Sequence, residues 1–228
     1  MTLFFDLDDT LLDHRHACDR GARTLHQRAG LGSSADEFVA RWEASLQRQF
    51  DRYLAGELSY EQQRLERVRE TVDVGLSDPE AEHWFGTYLE AYEASWALFP
   101  DVLPALAQLS DMRLGIITNG QGAQQRRKLA QTGLLERCAC VVISEEVGSA
   151  KPEAAIFRHA CDHLGITPDA AVFVGDRYDV DAQAARRAGL CGVWLDRQGR
   201  ATLVHEAPIL QSLSGLPDLV AQIAAGHG

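Results

Sequence analysis

The sequence predicts an α/β fold, a Rossmann-like parallel sheet covered by helices on both faces, with an all-helical segment inserted after the first strand. Two observations predict it. Short, continuous apolar runs alternate with helical patterns through the second half of the chain, which is typical of parallel strands buried on both faces. A helical stretch between the first and second apolar runs is too long to be a single crossover connection.

The first predicted strand is LFFDL (3–7), almost at the start of the chain. Four more apolar runs follow: RLGIITN (113–119), CVVIS (140–144), AVFVGD (171–176) and GVWLD (192–196). Helical patterns lie between them at 123–133, 152–165 and 181–190. Right-handed crossovers place the carboxyl ends of such strands along one edge of the sheet, where ligands bind. The sequence pattern of residues 202–228, the tail, predicts a last edge strand and a short helix after Pro217.

The inserted segment predicts about four helices. The pattern ARTLHQRAGL (22–31) comes first, and the next three helices have serine caps at Ser34, Ser59 and Ser77. Because the insertion leaves and re-enters the chain beside the first strand, we expect it to act as a cap over the same sheet edge. The alternative is a helical domain with no functional link. The predicted boundaries are 1–13 and 99–228 for the core, and 14–98 for the cap.

The composition limits the classes of partner. The chain has 228 residues, 46% of them apolar, and a formal net charge of −11. Binding a nucleic-acid polymer needs clustered Lys and Arg, so the charge argues against this partner but not against a small phosphorylated ligand held beside a cation. No apolar run approaches the roughly 20 residues that a membrane helix needs, so we expect no membrane association.

We expect a cytoplasmic protein without disulfides. The first ten residues contain three acids, and no basic stretch precedes an apolar segment as it would in a secretory signal. The five cysteines are scattered and odd in number, which is typical of reduced thiols. Cys138 and Cys140 would share one face of a predicted strand, as core-filling side chains or as a metal or redox pair.

Polar residues of a different kind follow each of four predicted strands. Asp6 and Asp8 come at the first strand end, and residues i and i+2 of an extended chain point to the same side. Two carboxylates forced together need a cation or a proton. With Asp176 from another strand end, they make an all-oxygen site that suits Mg²⁺, which prefers carboxylates, water and phosphate oxygens.

Lys151 and Thr118-Asn119 are the polar residues that follow the other two predicted strands. The chain has only two lysines, Lys128 and Lys151, among 22 basic residues. A compact ammonium on a flexible stem suits the neutralisation of a carboxylate or phosphate oxygen, so Lys151 is a candidate for that role. Thr118 and Asn119 offer a hydroxyl and exposed backbone N–H groups at a strand-to-helix turn, which can hold an anion.

The order of these motifs resembles the haloacid dehalogenase (HAD) superfamily, in its phosphatase branch with a helical type-1 cap. The resemblance rests on D-x-D-x-T at Asp6, T-N-G at Thr118, K-P at Lys151 and G-D-x-x-x-x-D at 175–181, and it covers essentially the whole chain. It implies a phosphatase with an aspartyl-phosphate intermediate and Mg²⁺ as cofactor.

The resemblance also implies a role for each residue. Asp6 matches the nucleophile, and Asp8 matches the general acid and base. Thr118, the Asn119 backbone and Lys151 match the groups that hold or neutralise the phosphoryl oxygens.

Two further acids match the metal site. Asp176, the Asp6 carboxylate and the Asp8 backbone carbonyl match the Mg²⁺ ligands. Asp181 matches a supporting acid, either in the outer shell of the metal or orienting Lys151. Asp179 matches no role and is expected to be solvated.

The expected function is hydrolysis of a small phosphorylated metabolite by a monomer or homodimer. A nucleoside 5′-monophosphate is the favoured substrate, with phosphoglycolate or a sugar phosphate as rivals. A phosphomutase, a 2-haloacid dehalogenase and a non-catalytic partner-binding protein stay open as alternatives. Dehalogenases in the superfamily need no leaving-group acid, so Asp8 favours the phosphatase.

Overall fold

The computed structural model describes residues 1–201 and 206–226. Its strands are Thr2–Phe5 (β1), Arg113–Thr118 (β2), Cys140–Ile143 (β3), Ala171–Gly175 (β4), Cys191–Leu195 (β5) and Ile209–Leu210 (β6). Its α-helices are His14–Ala29 (α1), Ala35–Leu54 (α2), Tyr60–Thr71 (α3), Asp78–Ala94 (α4), Val102–Gln108 (α5), Gly122–Gln131 (α6), Ser144–Val147 (α7), Ala154–Leu164 (α8), Gln183–Ala188 (α9) and Leu216–Gly226 (α10).

The six strands form one parallel sheet in the order β3-β2-β1-β4-β5-β6. β1 lies in the middle, with Phe5 opposite Ile116 of β2 and Val174 of β4. The predicted α/β fold with a parallel sheet flanked by helices is therefore confirmed. Because β1, β2 and β4 are neighbours, their carboxyl ends meet at one place on the sheet edge.

Both faces of the sheet are buried, as the continuous apolar strands predict. All four residues of β1 are buried, and so are all five of β4. Phe4 and Phe173 point into a cluster with Phe157 of α8 and alanines of α9. Leu3 and Phe5 alternate with Phe4 and are also buried, so they pack on the opposite face.

The chain divides into two compact units, Met1–Asp13 with Leu98–Gly228, and His14–Ala97. The second unit contains α1 to α4. Ser34 and Ser59 form capping boxes with Glu37 and Gln62, which satisfy the first free N–H groups of α2 and α3. The first helix begins at His14, eight residues before the predicted start. Its first two turns, HRHACDRG, are mostly polar and end in a glycine, so they lack the apolar periodicity of the later turns.

Other elements differ from the sequence prediction by a few residues. β3 begins at Cys140, so Cys138 lies before the strand. Burial raises the pKa of both thiols to about 11, which favours core-filling side chains over a reactive pair. Helix α10 includes Pro217 in its first turn rather than following it. Residues 202–205 of the predicted tail lie outside the described residues.

Within the described ranges, no helix combines the length and apolar character needed to cross a membrane. All five cysteines are free thiols.

Candidate active site

The loop after β1 places Asp6 at the centre of the sheet edge. The strand ends at Phe5, and the Asp6 N–H still donates to the Val174 carbonyl of β4 at 2.9 Å. The chain then turns tightly, with Asp9 at φ +59° and its N–H donating to the Leu12 carbonyl at 2.8 Å. Aspartate tolerates this left-handed conformation better than most residues. The turn keeps Asp6 and Asp8 at the end of the central strand.

Lys151 joins two of the predicted acids. Its Nζ lies 2.6 Å from Oδ1 of Asp6 and 2.7 Å from Oδ1 of Asp181. The second carboxylate oxygen of Asp6 accepts a hydrogen bond from the Thr10 hydroxyl at 3.3 Å. All four side chains are buried. The lysine therefore lies where the sequence predicts a neutralising cation, and Asp181 is its second carboxylate partner.

Asp176 lies beside this pair at the end of β4. One carboxylate oxygen from each of Asp6, Asp176 and Asp181 lies within 4.8 Å of the other two. The Asp176 carbonyl accepts a hydrogen bond from Trp194 Nε1 of β5 at 2.9 Å, which fixes the backbone at this position. Gly175 is required for the approach, because a Cβ there would lie 2.4 Å from the Asp181 Cβ.

The electrostatics of the cluster show an excess of negative charge. Burial raises the pKa of Asp6 to about 6, against the lowering effect of Lys151. Burial and the neighbouring Asp6 and Asp181 raise the pKa of Asp176 to about 8. Burial alone would lower the pKa of Lys151, but the carboxylates of Asp181 and Asp6 outweigh it and raise the pKa. One ammonium group thus faces three carboxylates.

This donor set fits a hard divalent cation. Mg²⁺ prefers oxygen ligands and accepts one or two carboxylates together with water. Asp6 and Asp176 supply such oxygens, and burial, together with the neighbouring carboxylates, raises the pKa of both by disfavouring their ionised forms. A divalent cation would supply that charge. Asp181 is engaged with Lys151 and with the Arg177 N–H at 3.0 Å, which suits a supporting role.

Thr118 and Asn119 end the neighbouring strand β2, and their side chains have different partners. The Thr118 hydroxyl accepts a hydrogen bond from Gln125 Nε2 at 2.8 Å. The Asn119 side chain bridges the loops: its Nδ2 donates to the Lys151 carbonyl, and its Oδ1 accepts from the Lys151 N–H, both at 2.9 Å. The Asn119 amide therefore fixes the lysine loop, and its backbone N–H is the group predicted to face phosphate.

The Asp8 carboxylate has partners of its own. It accepts from Lys128 Nζ at 2.7 and 2.8 Å and from Gln125 Nε2 at 3.0 Å. Both donors come from α6, which follows β2. Strand periodicity predicts Asp8 beside Asp6, but β1 ends at Phe5, before either aspartate.

The structure thus brings together side chains from all four predicted strand ends. Lys128, Gln125 and Thr10 also contact these acids, and the sequence pattern predicts no role for them. One feature of the sequence could have pointed to Lys128: it is one of only two lysines among 22 basic residues. In the structure it lies on the buried face of its helix. Asp179 is exposed.

A family model described as haloacid dehalogenase-like hydrolase matches residues 1–189. This chain belongs to the haloacid dehalogenase-like hydrolases. The match includes every strand end that contributes to the acidic cluster of this HAD-like hydrolase.

Curated relatives of this HAD-like hydrolase include several named phosphatases, among them N-acylneuraminate-9-phosphatase of Mus musculus, which is 29% identical over 97% of this chain and 94% of the relative. It is 32% identical to glyceraldehyde 3-phosphate phosphatase of Methanopyrus kandleri over 203 residues, which cover 86% of this chain and 83% of the relative. It is 37% identical to pyrimidine 5′-nucleotidase YjjG of Escherichia coli over 122 residues, which cover 50% of this chain and 54% of the relative.

Solved structures of the same fold include enzymes with different names. The HAD-hydrolase YfnB of Bacillus subtilis, bound to magnesium, superposes with a TM-score of 0.80 at 20% identity, covering 96% of this chain and 97% of the other. A 2-haloacid dehalogenase of Pseudomonas syringae superposes with a TM-score of 0.71 at 28% identity, covering 97% and 99%.

Proposed function

We propose that this HAD-like hydrolase cleaves small phosphomonoesters through an aspartyl-phosphate formed on Asp6. The observation that carries the proposal is the contact of 2.6 Å between Asp6 and Lys151, within a cluster that includes Asp176 and Asp181. A carboxylate can approach a phosphate dianion only where positive charge offsets the repulsion. The named phosphatases among its relatives support the same reaction class.

In the first half-reaction, an Asp6 oxygen forms a bond to phosphorus as the bond from phosphorus to the leaving oxygen breaks. Asp8 donates its proton to that oxygen, so the product leaves as an alcohol. Lys151 stabilises the negative charge on Asp6 and on the phosphoryl oxygens. The Thr118 hydroxyl and the Asn119 N–H hold these oxygens in place.

In the second half-reaction, water attacks phosphorus and the bond to Asp6 breaks. The Asp8 carboxylate takes the proton from water, which restores the acid for the next cycle. Asp6 returns to the carboxylate form and inorganic phosphate leaves. One acid thus serves both steps, in opposite directions.

Asp6, Asp176 and the Asp8 backbone carbonyl would hold Mg²⁺. When bound there, the cation neutralises charge between the nucleophile and the phosphate. Asp181 keeps the Lys151 ammonium aimed at Asp6.

A 2-haloacid dehalogenase is the rival activity, because one of the structural neighbours has that name. Its chemistry requires no proton donor for the leaving halide. The Asp8 carboxylate, held by Lys128 and Gln125 at the strand end, favours the phosphatase.

A phosphomutase would use the same Asp6 chemistry and pass the phosphoryl group to a sugar phosphate. A non-catalytic partner-binding protein would not need the acidic cluster.

The favoured substrate remains a nucleoside 5′-monophosphate, supported by the nucleotidase relative. The aldehyde-phosphate phosphatase relative supports a short phosphorylated carbon chain instead. A phosphate-release screen with nucleotides, sugar phosphates, glyceraldehyde 3-phosphate and phosphoglycolate separates these classes.

We propose that residues 14–98 act as a cap for the active site. We also propose that the protein is cytoplasmic and is a monomer or a homodimer.

The test is hydrolysis of p-nitrophenyl phosphate with Mg²⁺ and with EDTA. We expect the wild-type protein to be active with Mg²⁺ and to lose that activity in EDTA. Asp6→Asn should lower turnover by more than about a thousandfold, because the amide is a poor nucleophile. Asp111→Asn is the matched control, since Asp111 is exposed on the turn before β2, and it should keep full activity.

Two results would reject the proposal. The first is activity of Asp6→Asn within about tenfold of the wild-type rate, which would exclude Asp6 as the nucleophile. The second is full activity in EDTA together with halide release from a 2-haloacid, which would favour the dehalogenase.

A further inference from the structure

Lys128 is the second lysine of the chain and, like Lys151, it is buried against an acid of the candidate active site. Its Nζ contacts both carboxylate oxygens of Asp8, at 2.7 and 2.8 Å. The Lys128 side chain is 2% exposed, whereas that of Asp8 is 26% exposed. The lysine therefore approaches Asp8 from the protein interior and leaves one side of the carboxylate accessible.

Gln125 adds a third contact from the same helix. Its Nε2 donates to Oδ2 of Asp8 at 3.0 Å and to the Thr118 hydroxyl at 2.8 Å. Gln125 lies three residues before Lys128, so both residues project from one face of α6. This helix thus links Asp8 to the end of β2, where the phosphoryl oxygens are proposed to bind.

These contacts suit a role in orientation better than a role in stability. A buried ion pair returns little net stability, because removing both charges from water costs about as much as their attraction provides. A proton donor, by contrast, must lie within hydrogen-bond distance of the leaving oxygen and point at it. A carboxylate held on both oxygens has a fixed direction, and when Oδ1 carries the proton, Lys128 and Gln125 can both still donate to Oδ2.

We propose that Lys128, supported by Gln125, is the positioning residue for Asp8. It sets the direction of the Asp8 carboxylate toward the leaving-group oxygen. This inference rests on the proposed phosphatase function. The opposing interpretation is a structural ion pair that anchors the loop after β1 to α6.

Leaving-group dependence separates the two interpretations. p-Nitrophenolate leaves readily without a proton, whereas an alkoxide needs one, so loss of a correctly placed acid affects alkyl phosphates selectively. The probes are p-nitrophenyl phosphate and the alkyl phosphate that the wild-type protein cleaves fastest. We expect Lys128→Met to lower kcat/KM by about a hundredfold or more for the alkyl phosphate and by less than about tenfold for the aryl phosphate.

A double-mutant cycle then tests the route of the effect. Asp8→Asn should show the same selectivity, and Asp8→Asn combined with Lys128→Met should be no slower than Asp8→Asn alone, because the lysine acts through Asp8. Arg127→Met is the matched control: it removes a positive charge from the exposed face of the same helix and should leave both rates unchanged. If Lys128→Met does not fold, Lys128→Arg replaces it, with the same expected selectivity.

Equal losses on both substrates, or losses that add to those of Asp8→Asn, overturn the inference while the phosphatase function stands. A wild-type protein that cleaves neither substrate overturns the proposed function, and the inference with it.

Discussion

In the proposed magnesium site, Asp176 and Asp6 are the residues whose ionisation would link metal binding to pH. The raised pKa values, about 8 and about 6, mean that a proton on Asp176 competes with a cation. We expect the Kd for Mg²⁺ to fall by at least about tenfold from pH 6 to pH 8, because binding displaces that proton. Isothermal titration calorimetry at several pH values measures the Kd for Mg²⁺. Asp111→Asn is the control and should show the same pH dependence of Kd as the wild-type protein.

The same raised pKa values determine whether the protein becomes more or less stable as the pH rises in the absence of metal. A carboxyl whose folded pKa exceeds its unfolded value binds more protons in the folded state. In EDTA, the free energy of unfolding should therefore fall as the pH rises from about 4 toward 8, and excess Mg²⁺ should restore it most near pH 8. A metal affinity that does not change with pH would contradict the raised pKa of Asp176.

Individual site residues differ in how far the sequence predicts them. Asp6 and Asp176 lie at the ends of predicted strands and Lys151 a few residues beyond another, so chain order alone predicts all three at one sheet edge. The Lys128–Asp8 contact joins residues 120 positions apart through a helix rather than a strand end. The rotation of that helix is set by packing, which the local sequence pattern does not specify.

At the scale of elements, Gly21 marks the close packing of α1 on α4. A Cβ at Gly21 would lie 2.7 Å from ring atoms of Tyr88, whereas one at Gly86 would have no neighbour within 4 Å. Glycine to alanine in a helix normally adds about 1 kcal/mol of stability. We expect that gain for Gly86→Ala. For Gly21→Ala, we expect a net loss of about 1–3 kcal/mol from overpacking.

Urea unfolding of the two variants, followed by circular dichroism, measures the difference. Since both substitutions change the same residue type in helices of one unit, the difference between them isolates the contact with Tyr88. A Gly21→Ala variant as stable as Gly86→Ala would show that α1 and α4 pack less closely.

The elements themselves follow from local signals wherever those signals are strong. Ser34 and Ser59 predict the starts of α2 and α3 within one residue, because each forms a capping box. The helix predicted at 181–190 is preceded instead by a π-helical turn at Tyr178–Ala182. That turn brings Asp181 over Gly175, and no local propensity encodes it because it depends on the missing Cβ of a residue in β4.

At the scale of the whole molecule, a chain with a net charge of −11 concentrates buried carboxylates at one sheet edge and places both of its lysines there. The strand order β3-β2-β1-β4-β5-β6 makes this arrangement possible, since β1 has β2 and β4 as neighbours. The alternation of apolar runs with helical patterns along the chain predicts the parallel sheet. It does not predict the order of the strands, because that order depends on which side of the sheet edge each new strand joins as the molecule packs.

The most direct test of the account is identification of the phosphorylated residue during turnover. The wild-type protein, mixed with Mg²⁺ and excess substrate, is quenched in acid within one turnover, digested and examined by mass spectrometry. The account predicts a phosphoryl group on Asp6, in the peptide that contains FFDLDDTLLD. A phosphoryl group on any other residue, or none while phosphate is being released, would contradict it.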